Sequence, residues 1–235
     1  MDKQELREHV WDTLEDSGEA RFPYPPHGRI PNYAGAADAA ERLSDLPAWK
    51  EADVIKANPD SPQLPVRRAA LRQGKIVYMA VPRLRDEKCF LRLDPREIDD
   101  SDNAATISGS SEAGIPVSPT EMQRVDLIVS GSVAVNRKGV RVGKGEGYSD
   151  LEFAILSECE IVDDDTVTTT TVHELQIISE DVSDEYHDVS MHYIFTPSRT
   201  IQMDSSTTKP SKLKWDNLSS EKISEIPILR RLQPE

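Results

Sequence analysis

Three alternating glycines enclose two opposite charges at Gly143-Lys144-Gly145-Glu146-Gly147, two residues after Arg141. Glycines at this spacing let the backbone curl until successive N–H groups converge, forming a nest for an anion. Lys144 and Arg141 add full positive charge, and a helix opening near Tyr148 would add its positive end. Together these parts suit phosphate. The spacing is neither Walker A nor G-x-G-x-x-G, and a plain flexible turn has the same composition, so both readings stand at this point. Asp150 follows the last glycine by three residues. A carboxylate facing a phosphate needs a cation between them, which makes Asp150 a candidate Mg²⁺ ligand. An acid in the first turn of a helix equally stabilises the helix dipole.

Leu6, Val10 and Leu14 recur at helical spacing and predict a helix over about 3–16, ended by Ser17-Gly18. The proline-rich stretch 21–35 has no period and reads as an extended loop. Residues 36–46 are Ala-rich and helical, and Pro47 opens a short helix carrying Trp49. Strands are expected at 53–57, 75–81 and 89–93, with a helix over 66–74 stopped by Gly74. Residues 99–115 are small and polar and read as a mobile loop inserted in the domain. A buried strand run follows at 125–135. The basic glycine-rich loop covers 137–150, and a helix follows at 151–158. A β-branched strand is expected at 166–178 and a strand end at 193–197. Trp215 and Ile226-Pro227-Ile228-Leu229 suggest that the C-terminal segment packs on the body. Strands alternating with helices predict one α/β domain over 1–235 with a mostly parallel sheet.

Acidic residues number 42 against 28 basic ones, a net charge of −14. Such a field repels nucleic-acid backbones and anionic membranes, so neither is an expected partner. Scattered acid suits either a surface adapted to high salt or an ordinary acidic cytosolic protein. The N-terminus has no apolar stretch of a secretory signal, and no run approaches a membrane span. Cys89 and Cys159 lack metal-ligand spacing and read as packing residues, and the expected compartment is the cytoplasm.

The segment 125–156 resembles the signature of the 5-formyltetrahydrofolate cyclo-ligase (methenyltetrahydrofolate synthetase) family, G-x-R-x-G-x-G-x-G-Y-Y-D-R. The matching residues are Gly139, Arg141, Gly143, Gly145, Gly147, Tyr148 and Asp150. Lys3 and Arg7 resemble the family's N-terminal K-x-x-x-R pair, and the segments around 21–40, 56–67 and 77–85 look like its archaeal and domain-containing branch. The resemblance implies a three-layer α/β/α fold of the NagB/RpiA-like type with a mostly parallel open sheet. It also implies ATP with Mg²⁺ as cofactors and a reduced folate as small-molecule substrate. In the implied reaction the formyl oxygen of 5-formyltetrahydrofolate attacks the γ-phosphate of ATP. N10 then attacks the imidate phosphate, and phosphate leaves as 5,10-methenyltetrahydrofolate forms. Such chemistry needs phosphates held in line and charge neutralised. Arg141 and Lys144 are the implied catalytic cations. Lys3, Arg7, Gly143, Lys144, Gly145, Glu146, Gly147 and Tyr148 are the implied nucleotide contacts, and Asp150 and His192 the implied metal ligands.

Three positions depart from the family pattern. Leu151 stands where the family has an arginine, His192 where it has a late aspartate, and Gln63 near where it has a folate-contacting glutamate. Arg29 in the proline-rich loop is a candidate for a folate carboxylate, beside the alternative of a loop pinned by hydrogen bonds. Lys56 and Arg83 end predicted strands, where ligands gather in open α/β sheets. His173 and the His187-Asp188 pair read more simply as structural residues.

Overall fold

In the computed structural model, residues 1–182, 189–203 and 212–234 are described, and the His187-Asp188 pair lies outside them. The chain opens with α1 (Lys3–Asp16), whose buried stripe is Leu6, Val10, Trp11 and Leu14. Asp2 caps it, accepting from Gln4 N and Glu5 N at 2.8 Å, while Glu5 Oε2 accepts from Asp2 N at 2.9 Å. A cap of this kind contributes ~1 kcal/mol. The proline-rich stretch is less bare than its composition suggests, because β1 (Ala20–Arg21) pairs antiparallel with β2 (Asn32–Tyr33).

There follow α2 (Ala36–Ser44), α3 (Pro47–Glu51), β3 (Val54–Ala57), α4 (Leu64–Arg72), β4 (Ile76–Ala80) and β5 (Phe90–Leu93). The expected loop at 99–115 is instead α5 (Ser101–Ala104) and α6 (Ile107–Ala113), leading into β6 (Ile115–Val117). Asp100 and Thr106 cap the two helices with their side chains, and Ala104, Ala105 and Ser110 are buried. The segment is anchored by Arg67, 1% exposed, whose Nε donates to Ala105 O at 2.8 Å.

The expected single strand at 125–135 is two, β7 (Leu127–Ser130) and β8 (Ala134–Asn136). Gly131 makes the break. A Cβ there would lie 2.9 Å from Asp60 Oδ2 and 3.0 Å from Ile30 Cγ2, so only glycine lets the backbone leave the sheet this close to its neighbours. Then come β9 (Arg141–Val142), α7 (Tyr148–Glu158), β10 (Val167–Thr171), β11 (Ile177–Ile178), β12 (Tyr193–Phe195), β13 (Thr200–Gln202), α8 (Ser220–Glu225) and α9 (Pro227–Leu232).

The main sheet has the order β13-β12-β10-β7-β3-β4-β5-β6. Its five central strands, β12 to β4, are parallel, and β13, β5 and β6 add antiparallel edges. β3, β4 and β7 are buried along their whole length, as strands covered on both faces must be. One face packs Ile55, Val77, Met79, Leu127 and Val129 against α2, α3 and α4. The other packs Ile76, Tyr78 and Ile128 against α7 and the C-terminal residues Leu213, Ile226, Ile228 and Leu229. This is the expected three-layer α/β/α arrangement. A small sheet of β11-β8-β9 carries α1, through Leu6, Val10 and Leu14 on Val133, Ala134 and Val142. The carboxyl ends of β3, β4 and β7, the β8–β9 pair and the start of α7 converge on one crevice, the position where open α/β sheets bind ligands.

Candidate active site

The crevice is a cleft of about 370 Å³. Asn58, Pro59 and Asp60 line it from the end of β3, Val81, Arg83 and Arg85 from the end of β4, and Gly131 from the end of β7. Arg141, Gly143, Lys144, Glu146, Gly147, Tyr148, Asp150 and Glu152 close it from the glycine loop and α7. A second cleft of about 180 Å³ adjoins it, sharing Gly147 and Asp150.

The glycine loop is shaped by what touches it. Gly145 has φ +102° and Gly147 φ +70°, left-handed backbone that glycine adopts without steric cost. Gly143 is needed for another reason, since a Cβ there would meet the Arg141 guanidinium at 2.9 Å. Behind the loop Arg7 Nε donates to Gly143 O at 2.7 Å, and its guanidinium carbon lies 3.4 Å from where a Gly145 Cβ would be. Desolvation lowers the pKa of Arg7, with Asp2 opposing. Arg7 therefore supports the loop from behind. Lys3, one turn earlier and half-buried, does not line the cleft.

Gly147 caps α7 without a side-chain hydrogen bond, so the first turn of an 11-residue helix presents uncapped N–H groups to the cleft. Lys144 lies beside it and pairs with Glu146 at 2.9 Å, both side chains about 40% exposed. Arg141 is differently placed. It is 7% exposed, its NH2 donates to both oxygens of Asp150 at 2.7 and 2.8 Å, and its NH1 donates to Gly131 O at 3.0 Å. Asp150 also accepts from Val189 N at 3.3 Å. Spacing suggested one residue for phosphate and the other for a metal. The fold pairs them with each other, bracing β7, β9 and α7.

The remaining expected contacts fall apart in space. His192 immediately precedes β12, and its Nδ1 accepts from Thr168 N at 3.0 Å near the amino end of β10. It does not line the cleft that Asp150 lines, and its Nδ1 is 2.9 Å from Thr168 Oγ1. Arg29 is exposed and outside the cleft, and its backbone is engaged on both sides: its N–H donates to Pro26 O at 3.3 Å, and its carbonyl accepts from Trp11 Nε1 at 3.0 Å. Gln63 is fully buried beneath Gly131, its Nε2 donating to Thr171 Oγ1 at 3.3 Å. Lys56 lies under the cleft floor, 1% exposed, in an ion pair with Glu152 and 3.1 Å from Asn58 Oδ1.

Several cleft residues carried no sequence signal of their own. Asp60 is one, and burial pushes its carboxyl pKa up against the opposing pull of Lys144 and Arg67. Arg67 holds the Asn58–Asp60 turn, donating to Asn58 O at 2.6 Å and Asp60 O at 3.0 Å; desolvation brings its pKa down to about 10. Arg83, at φ +58°, and Arg85 stand exposed at the lip and form no ion pair among the described residues. The strand-end rule pointed to Arg83, and extended one turn further it reaches Asn58, Asp60 and Arg85. Burial raises the Cys89 thiol to about 12, as a packing role requires.

The cleft thus combines an uncapped helix start, a glycine loop with its own lysine and two exposed arginines, which suits a polyanion. The family model for 5-formyltetrahydrofolate cyclo-ligases matches residues 1–197. The chain belongs to that family. It is 40% identical over 239 residues to the methenyltetrahydrofolate synthase domain-containing protein of Mus musculus, covering 99% of this chain and 63% of the relative. The Homo sapiens protein of that name is 37% identical over 238 residues, covering 99% and 62%. The chain therefore spans somewhat under two thirds of the length of these relatives. The NMR structure of Aquifex aeolicus 5,10-methenyltetrahydrofolate synthetase superposes with a TM-score of 0.54 at 16% identity, over 86% of this chain and 93% of that one. The likeness shows a shared fold. No described helix is long and apolar enough to cross a membrane.

Proposed function

We propose that this chain is an ATP-dependent ligase that converts 5-formyltetrahydrofolate to 5,10-methenyltetrahydrofolate. The observation that carries the reading is the uncapped first turn of α7, presented with Lys144 and the glycine loop to a cleft at the carboxyl ends of the sheet. Phosphoryl transfer asks the protein for positioning and charge neutralisation and little else. The N–H groups of α7 and the ammonium of Lys144 would hold the polyphosphate. Arg7 keeps the loop in shape from behind, and the Arg141–Asp150 pair fixes it to α7. Arg83 and Arg85 face the folate side as contacts for its carboxylates. Mg²⁺ fits as a companion of the nucleotide. Such ions take one or two carboxylates plus phosphate oxygens; Asp150 lines both clefts and would reach the ion with the lone pairs that its pairing with Arg141 leaves open. Among the described residues no group of three or more acids, histidines or cysteines could hold a resident metal. The ion would supply neutralisation of phosphate charge. The acidic surface suits a cytoplasm of high salt.

Appearance of methenyltetrahydrofolate absorbance on mixing purified protein with ATP, Mg²⁺ and 5-formyltetrahydrofolate tests the reading. Product that needs both ATP and Mg²⁺ is the expected result. ATP binding without product moves the assignment to a nucleotide-binding protein without turnover. One observation favours that second reading: the Arg141 guanidinium is already committed to Asp150 and Gly131.

A further inference from the structure

We propose that Lys222, on α8 and outside the stretch matched by the family model, is a phosphate-binding cation of the nucleotide site. The inference rests on the nucleotide reading above and adds to it a residue from the C-terminal segment. Lys222 Nζ stands 5.6 Å from the centroid of the Tyr148 ring, and 3.7 Å from where a Cβ on Gly147 would lie. It is therefore held over the uncapped start of α7, where a bound phosphate would accept the helix N–H groups.

Three further facts support the assignment. First, the position is held by the core. Ile226, Ile228 and Leu229 behind α8 are at most 1% exposed and pack with α7 in one cluster, so the lysine is carried by an anchored element. Second, Lys222 forms no ion pair among the described residues, whereas Lys144 pairs with Glu146 and Arg141 with Asp150. An arriving phosphate meets at Lys222 a positive charge not already neutralised. Third, Leu151, where the family pattern has an arginine, is 7% exposed and lines the second cleft beside Lys222. The apolar side chain lets the C-terminal segment seat there, and the segment brings a cation back to the same helix turn. An arginine at 151 would instead project among Lys212, Lys214 and Lys222.

The test is calorimetric titration of the full chain with MgATP and, separately, with inorganic tripolyphosphate. It compares wild type, Lys222→Met, Lys222→Arg and the control Lys50→Met on α3, which lines neither cleft. A half-exposed charged contact to phosphate should be worth about 5–20-fold in affinity. Lys222→Met should lose that factor for both ligands, Lys222→Arg should recover most of it, and the control should match wild type. Ligand-free melting curves identify any variant that fails to fold. Affinity in Lys222→Met equal to the control overturns the proposal and leaves the nucleotide site standing. Tripolyphosphate binding that depends on Lys222, without ATP binding, upholds the lysine and overturns the nucleotide reading. Binding of neither ligand by wild type overturns both.

Discussion

Replacing either member of the Lys56–Glu152 pair should destabilise the protein far more than replacing both. The side chains are 2% and 7% exposed, and they join the centre of the sheet at β3 to the first turns of α7. Removing one partner leaves a charge in a site built to exclude water, at a cost of ~3–5 kcal/mol. Asn58 Oδ1, 3.1 Å from Lys56 Nζ, offsets part of that cost for the lysine. Glu152 reaches the cleft wall, so water offsets part for the carboxylate. The lower end, ~3 kcal/mol, is therefore expected for Lys56→Met and Glu152→Met alike. Typical domain stabilities are about 5–15 kcal/mol, so each single change is severe. The double change removes both charges at nearly conserved volume and should cost less than ~2 kcal/mol, a coupling of several kcal/mol. Urea unfolding reads this directly. With a slope near ~3 kcal/mol/M, each single variant should lose about 1 M in midpoint and the double variant much less. Single variants within 1 kcal/mol of wild type, with an additive double, would refute the reasoning and mean that cleft water already solvates the pair.

Gly145→Val puts a β-branched side chain at φ +102° with its Cβ 3.4 Å from the Arg7 guanidinium carbon, a strain of ~1–3 kcal/mol in the loop. MgATP affinity should fall at least about tenfold by calorimetry, and an unchanged affinity would make the loop only a turn. Asp94, 2% exposed, accepts from Arg96 and Arg92, and the Arg96 hydrogen bonds pull its carboxyl down to about 2. A lowered carboxyl stabilises the fold above its unfolded value near 3.8 and loses that contribution as pH falls through about 2. Asp94→Asn should accordingly cost ~2 kcal/mol at pH 7 and almost nothing near pH 2; a cost constant across that range would contradict it. Melting temperature should rise between low and molar KCl as the −14 net charge is screened. A flat or falling profile would remove the high-salt reading.

Local chemistry was legible before the fold, and long-range partnership was not. The stripe of α1, the buried β-forming runs and the left-handed glycines of the loop follow from residues a few positions apart. The 99–115 segment has no apolar period, and what orders it is Arg67, from a helix more than thirty residues away. The break at Gly131 has the same character: its cause is the approach of Asp60 and Ile30, which no strand pattern records. Lys56 stands at a strand end that the sequence marks, but its partner Glu152 lies 96 residues on, inside a segment that reads simply as helix.

The charge pairing within the cleft sets the order in which a phosphate can find its partners. Arg141 and Asp150 are mostly buried, with side-chain exposures of 5% and 13%, so separating them would strand a desolvated charge at a cost of several kcal/mol. Lys144 and Glu146, about 40% exposed, form a surface pair worth at most ~1 kcal/mol, which water and salt open readily. On the proposed nucleotide reading, a polyphosphate arriving at α7 would draw on Lys144 at little cost, while Arg141 would stay where it braces the loop. The spacing marks both residues alike as phosphate cations, and burial separates them: Arg141 is held in the wall by its pair with Asp150, and on the proposed reading Lys144, in an exposed pair, is the side chain that would turn toward the ligand.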